Sequence, residues 1–264
     1  ILGTTQTAQV AYSIRKISTT YNGPAIQVRR SSDNTTQDIG FTAGGDLDQT
    51  ALLSFVGSDN GFITTWYDQS GNARNMVQAT AIRQPRIVNA GVLETKNARP
   101  GLKHLSSNQQ FLTVGTGYLS TNNWTVNAVQ SLDGGVNQRM LSGTPNWILG
   151  FWNGNESSFY FQAGSGGTLG SGFPATTAVQ TYTAIGQGAS NAGVFRNGVN
   201  ISTQGGGVAS NPPTSLFTSS YQGGSEFSDG TTQELIVFNS SLGSSDRQTI
   251  ETSQFCYYSI PPTI

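Results

Sequence analysis

The sequence predicts an all-β fold, a jelly-roll β-sandwich with a few short helices. Three observations carry that expectation. The 264 residues include 33 glycines, spaced as punctuation between many short strands. Segments mixing β-branched and aromatic residues recur along the chain, several alternating apolar with polar positions. No long stretch carries apolar residues at helical spacing.

The strand signals come in order. Gly61–Tyr67 (GFITTWY) runs into a Ser70-Gly71-Asn72 turn, and Trp124–Val129 (WTVNAV) alternates. Trp147–Trp152 (WILGFW) and Ser158–Gln162 (SFYFQ) flank a polar turn at Asn153–Glu156. Val194–Asn200 reads as a hairpin, because Asn197-Gly198 supplies the two positive-φ positions of a type I′ turn. Leu216–Tyr221 and Gln233–Phe238 add two more strands. Trp66 and Trp124 are assigned to the core, since a Trp in a sandwich buries a large apolar area.

Short helices are predicted at three places. Ala11–Ile17 (AYSIRKI) is the first. Asp48 is an N-cap for Ala51–Val56. Ser245 and Gln248 have capping-box spacing for a helix running to Tyr257, which Pro261 and Pro262 then stop. The domain reading is an N-terminal arm or linker at 1–10, a single sandwich at 11–260 and a tail at 261–264. The chain begins at Ile1 rather than Met and reads as processed or excised.

Composition narrows the function. Charged residues make up 10% of the chain, against roughly 25% in an average soluble domain. The polar surface must therefore come from Ser, Thr, Asn, Gln and Gly, which suits an extracellular, cell-surface or virion-surface protein. The net charge of −1 gives no electrostatic footprint for nucleic acid, and nothing predicts membrane insertion. Cys256 and His104 are the only residues of their types. Cys256 reads as a buried thiol on a C-terminal apolar face, and His104 as a structural residue. Five Asn-x-Ser/Thr triplets, at Asn34, Asn123, Asn155, Asn200 and Asn239, are of the kind chance produces in so Asn- and Thr-rich a chain.

Two groups of residues resemble known families. GPAIQVRRSSDNTTQDIG from Gly23, FTAGGDLDQTALLSFVG from Phe41 and ITTWYDQSGNARNMVQAT from Ile63 follow in order. They resemble the opening half of the catalytic sandwich of fungal α-L-arabinofuranosidase B, with Gly23, Arg30, Ser32, Asp33, Thr42–Gly45 and Tyr67–Asn72 at its motif positions. The closing stretch GTTQELIVFNSSLGSSDRQTIETSQFCYYSI from Gly230 resembles the end of concanavalin-A-like lectin/glucanase modules of the LamG type. Both resemblances imply a sandwich.

The first resemblance implies a retaining glycosidase, which needs two carboxyl groups about 5 Å apart. The chain has five glutamates: Glu94, Glu156, Glu226, Glu234 and Glu251. The family's nucleophile lies in an Asp-Met-Glu-Asn type segment, and the matching region from Trp147 to Phe173 holds only Glu156. Its acid/base is an Asp after a Gly-Gly pair, and here Ser225 follows Gly223-Gly224. Its vicinal cysteines are missing. Glu226 and Asp229 are the carboxylates beside that place. No Ser-His-Asp set is credible with one histidine.

The sequence thus favours a non-catalytic surface module that binds glycans for adhesion or decorates a virion, phage fibre or filament. The alternatives are a secreted arabinofuranosidase-like hydrolase and a purely structural subunit pairing with copies of itself. The candidate ligand-binding residues are Trp147, Trp152, Asn153, Asn155, Tyr221, Glu226 and Asp229, aromatic rings beside polar groups as sugars require. Asp46 and Asp48 are weak candidates for a Ca²⁺ site, with a helix cap and a turn residue as the competing reading. Asp68 reads as an Asx-turn residue accepting backbone N–H bonds from Ser70 to Asn72. The expected partner is a polysaccharide or other glycan.

Overall fold

The computed structural model describes residues 2–134, 139–152, 155–156, 158–161, 167–170, 176–188, 191–201 and 212–262; the side chains of 152–175 and 191–192 lie outside the described set. The principal strands are β1 (Ala8–Ser13), β2 (Ile26–Arg30), β3 (Thr36–Ile39), β4 (Gly61–Trp66), β5 (Met76–Val77), β6 (Arg86–Asn89), β7 (Leu102–His104), β8 (Thr113–Val114), β9 (Trp124–Gly134), β10 (Leu141–Gly143), β11 (Trp147–Leu149), β12 (Gln180–Gln187), β13 (Asn191–Arg196), β14 (Leu216–Thr218) and β15 (Asp229–Phe238). The α-helices are α1 (Gln49–Val56) and α2 (Ser244–Tyr258).

The strands pair antiparallel and form two layers. In one, β15 is central: β9 lies along one edge, while β1 and β7 share the other. Beyond β9 come β12 and β13. In the other layer the order runs β3, β2, β4, β5, β8, β14, β10, β11. A short bridge through β6, between β4 and β7, joins the layers. Aromatic contacts show them facing each other: Tyr12 of β1 lies 5.6 Å from Trp66 of β4, and Trp124 of β9 meets Trp147 of β11 edge-on at 5.9 Å. One apolar core fills the gap, and Trp66 and Trp124 are fully buried in it, as expected.

The outer face of the first layer is covered as well. Leu235 and Val237 of β15 point into the core, while Ile236 and Phe238 join Ala8, Ala11, Leu242 and Ile250 in a second apolar cluster under α2. Polar residues share that interface: Glu234, Glu251 and Gln254 are buried between helix and sheet.

This double burial explains one correction. Ala11–Ile17 was expected to be helical, yet Ala8–Ser13 is strand β1. Both of its faces are buried, so no apolar/polar alternation marks it. The N-terminal segment expected as an arm enters the sheet at Ala8, and Leu2 and Thr5 bond to Ile17 and Asp246.

Other expectations meet the structure with adjustments. Asp48 caps α1, its carboxylate accepting the Ala51 N–H at 2.9 Å. The capping box at Ser245 is absent, because α2 starts a residue earlier behind Gly243 with no side-chain cap. The Trp147–Trp152 run breaks at Gly150, whose φ is +129°. The Asn197-Gly198 turn forms with φ of 46° and 88°. Leu216–Tyr221 stops at Thr218, where Ser219 turns left-handed at φ 49°. Cys256 is exposed rather than buried, since α2 turns Ile250, Glu251, Gln254 and Tyr258 toward the sheet and carries 256 to the far side. No helix among the described residues is long and apolar enough to cross a membrane.

Candidate functional site

The conspicuous motifs of the first third are scaffold. Asp68, in the turn after β4, accepts N–H bonds from Ser70 at 2.9 Å, as an Asx-turn does, and also from Ala11 at 2.8 Å and Arg74 at 3.1 Å. Gln69 donates to the Ser13 and Arg15 carbonyls and accepts from the Ile17 N–H. Asn72 donates to the Gln9 carbonyl. The turn thereby stitches β4 to β1. Arg30 likewise binds Asp33 at 2.6 Å and the Phe55 carbonyl at 2.7 Å, tying β2 to α1.

The chemistry-bearing candidates gather in the loop 219–228, between β14 and β15. Ser228 N–H bonds to the Ser219 carbonyl at 3.0 Å, closing its neck. Inside, Tyr221 N–H bonds to Ser225 O at 2.8 Å. Four residues are left-handed: Ser219, Gln222, Gly223 and Glu226, with φ of 49°, 51°, 69° and 52°. Such backbone is costly for side-chain-bearing residues and persists only where its surroundings enforce it.

Those surroundings are specific. Gly223 lies on the Phe111 ring so closely that a Cβ there would sit 2.7 Å from it. Arg83 donates to the Gly223 carbonyl at 3.4 Å and to Gln109 at 2.8 Å. Ser142 of β10 donates to the Ser220 carbonyl at 2.5 Å. Arg139 is buried under the loop: it pairs with Glu226, donates to Asn146 at 2.7 Å, and lies 4.4 Å from the centre of the Tyr221 ring. Glu226 keeps 25% of its side chain exposed, against 4% for Arg139, so the carboxylate is partly open to solvent while its guanidinium partner is buried.

The structure therefore brings Tyr221 and Glu226 together around Arg139. Asp229 is engaged elsewhere, by the Ser106 N–H at 2.7 Å and hydroxyl at 3.1 Å. Trp147 packs in the core against Trp124 and is 1% exposed, leaving no ring face for a ligand. Trp152 and Asn155 face each other in a short hairpin pairing Phe151–Trp152 with Asn155–Glu156. Their side chains, and all of Asn153, lie outside the described residues. Arg139, Asn146, Arg83 and Phe111 were missed from sequence, where no motif marks them. The one available signal was the rarity of charge in this chain, which makes a basic residue ahead of the apolar run at β10 worth notice.

The proposed metal pair divides into two structural roles. Asp48 is occupied as the helix cap, and Asp46 accepts from the Tyr257 hydroxyl at 2.6 Å beside Arg99 at 3.6 Å. Among the described residues no group of three or more His, Cys, Asp or Glu is arranged to hold a metal ion. His104 is fully buried, with Nε2 2.9 Å from the Thr218 hydroxyl. Burial pushes its pKa down to about 3, which keeps the ring neutral.

The sequence model of the catalytic domain of α-L-arabinofuranosidase B matches residues 2–145, more than half of the chain. The chain belongs to this family. α-L-Arabinofuranosidase B of Emericella nidulans is 44% identical over 66 residues, 25% of this chain and 13% of that protein. The Aspergillus niger enzyme of the same name is 39% identical over 66 residues, again 13% of its length. The match thus spans a small part of these curated relatives. Among solved structures, a family 54 α-L-arabinofuranosidase soaked with a cyclic sulfate inhibitor has a TM-score of 0.64 at 17% identity, covering 93% of this chain and 62% of that one. An arabinofuranosidase complexed with arabinofuranosyl-α-1,2-xylobiose gives 0.62 at 18% identity, covering 93% and 61%. At such identities the likeness carries the sandwich fold.

Membership in the arabinofuranosidase B family corrects the favoured functional expectation. A non-catalytic adhesion or virion-decorating module is overturned, because more than half of the chain matches the catalytic-domain model of that family. The departures at Ser225 and in the 147–173 segment lie beyond the matched residues 2–145 and leave the family unchanged.

Proposed function

We propose that this chain is an extracellular glycoside hydrolase domain that releases L-arabinofuranosyl groups from arabinose-containing polysaccharide. The observation that carries the reading is the family match over residues 2–145. The loop 219–228 supports it by leaving the Glu226 carboxylate partly exposed beside Arg139, over which the Tyr221 ring lies. Hydrolysis with retention requires one carboxyl to protonate the leaving oxygen and another to attack the sugar carbon. Glu226 is one candidate of that pair. Glu156 is the other, as the sole acidic residue from Trp147 to Phe173. Arg139, over which the Tyr221 ring lies, holds the Glu226 carboxyl in place, so a sugar reaching it meets it pre-oriented.

The test is release of 4-nitrophenol from 4-nitrophenyl α-L-arabinofuranoside, and of arabinose from arabinan and arabinoxylan. The expected result is turnover by the wild type and a loss of at least about 100-fold in kcat for Glu226→Gln and for Glu156→Gln. Folded wild-type protein that releases nothing from all three substrates overturns the hydrolase reading. Full activity in either variant removes that residue from the pair.

A further inference from the structure

A groove that shares no residue with the loop 219–228 runs between the segments 16–24 and 40–45. It consists of two depressions, about 450 Å³ and 710 Å³, which share Lys16 and Ala43. Volumes of this order match those of ordinary ligand sites. The half-exposed rings of Tyr21 and Phe41 line one depression together with Asn22 and Thr42. The other continues past the hydroxyls of Ser18, Thr19 and Thr20 and along Ala43–Gly45, with Leu2 and Ile17 also in its lining.

Tyr21 is held in place without being buried. Its hydroxyl donates to the Pro24 carbonyl at 2.8 Å. Its ring lies against Gly23, where a Cβ would come within 2.5 Å of Oη and 2.7 Å of Cζ. Glycine at 23 is therefore the condition for this ring position. The opposite wall is equally fixed: Lys16 N–H bonds to Gly45 O at 2.7 Å, and Thr42 N–H to Asp46 O at 2.8 Å. An aromatic side chain ordered in advance loses little entropy on binding.

From this geometry we propose that the groove binds a neutral polysaccharide chain, as a second attachment point for the polymer whose hydrolysis is proposed above. Rings offer apolar faces to sugar C–H groups, and the amide of Asn22 with the hydroxyls of Ser18, Thr19, Thr20 and Thr42 matches sugar hydroxyls. Lys16 is the one charged residue lining either depression, and its ammonium is 3.4 Å from Asn22 Oδ1. An anionic polymer would call for a denser basic lining. The choice of arabinan or arabinoxylan as occupant rests on the hydrolase reading; the neutral, hydroxylated chemistry does not.

The test is affinity electrophoresis of the whole chain in gels containing linear arabinan or arabinoxylan, run beside hydrolysis of 4-nitrophenyl α-L-arabinofuranoside. Tyr21→Ala and Asn22→Ala should each weaken retardation, by about tenfold in apparent affinity for the ring, and leave the rate on the small substrate unchanged. Tyr21→Phe, which keeps the ring, should retain most of the binding. Wild-type-like retardation of folded Tyr21→Ala and Asn22→Ala, or no retardation of the wild type by either polymer, overturns the groove proposal. Retardation that depends on Tyr21 in a protein without hydrolytic activity leaves the groove standing and sinks the hydrolase reading instead.

Discussion

The Asp68 carboxylate accepts the backbone N–H of Ala11 at 2.8 Å, so a turn after β4 completes the hydrogen bonding of a strand 57 residues earlier. The same carboxylate holds the Ser70 and Arg74 N–H groups, and all of this is buried or half-buried. Asp68→Ala leaves these donors without their acceptor, an expected loss of about 3 kcal/mol. Asp68→Asn keeps one carbonyl oxygen and should lose less. Urea unfolding checks this: the midpoint should fall with little change in slope. A midpoint like that of wild type would show that water replaces the carboxylate at no cost.

The buried pair of Arg15 and Glu234 makes a second prediction. Arg15 Nε and Nη2 lie 2.9 and 3.2 Å from the two Glu234 oxygens, which also accept from Ser13, Gln254 and Tyr258. Burial alone would push the Glu234 pKa up; the Arg15 charge and these donors outweigh it and hold the carboxyl below its ordinary value. Arg15→Met should cost about 3–5 kcal/mol by stranding a buried charge, whereas replacing both partners with apolar residues should cost much less. Because the folded pKa is depressed, the stabilisation is complete above the unfolded value, about 4.3. It is lost as pH falls through the folded one. Urea midpoints of wild type and the double variant between pH 5 and 2 should therefore converge as the pH drops.

The sandwich was legible because segments rich in aromatic and β-branched residues recur between turns, some of them alternating apolar with polar residues as Trp124–Val129 does, and the hairpin because Asn-Gly suits two left-handed positions in a row. β1 was misread for the opposite reason: α2 covers its second face, so Ala11 is as buried as Tyr12 and the period of two disappears. Cys256 was misplaced because the helix phase follows what lies under α2, and its inward residues include Arg247, Glu251 and Gln254, which composition would assign to solvent. In the candidate site, Tyr221 and Glu226 were visible as polar loop residues beside a Gly-Gly pair. Arg139 was not, because 87 residues separate it from Glu226 and only the β14–β10 pairing brings them together. Trp147 shows the limit of reading sugar sites from tryptophan, since its neighbour across the core is another tryptophan.

His104 gives a pH dependence of separate origin. Burial drives its pKa down to about 3, against about 6.5 in an unfolded chain. Between those values the unfolded state binds the extra proton, so stability falls as pH drops from 6.5 toward 3, by up to about 1.4 kcal/mol per pH step. His104→Gln should flatten the stability profile in that window and leave the separate contribution of Glu234, whose carboxyl is held below its ordinary value, in place. Guanidinium unfolding at half-unit pH intervals checks it, and an unchanged slope in the variant would assign the dependence to other groups.

Gly223 and Phe111 test whether the shape of the loop matters to the hydrolysis proposed above. Gly223 combines a φ of 69° with a ring 2.7 Å from where a Cβ would lie, so Gly223→Ala meets both a backbone penalty and a clash. About 2 kcal/mol of destabilisation is expected. Phe111→Ala alone should cost about 3 kcal/mol through the cavity it leaves. In the double variant the clash is gone while the backbone penalty stays, so the total should fall short of the sum by about 1 kcal/mol. Activity separates positioning from mere stability. If the ring holds Glu226 in register, Gly223→Ala lowers kcat on 4-nitrophenyl α-L-arabinofuranoside at temperatures where the protein is fully folded, and adding Phe111→Ala recovers part of it. A kcat that follows only the folded fraction would mean that Phe111 supports the loop without setting the position of its carboxylate.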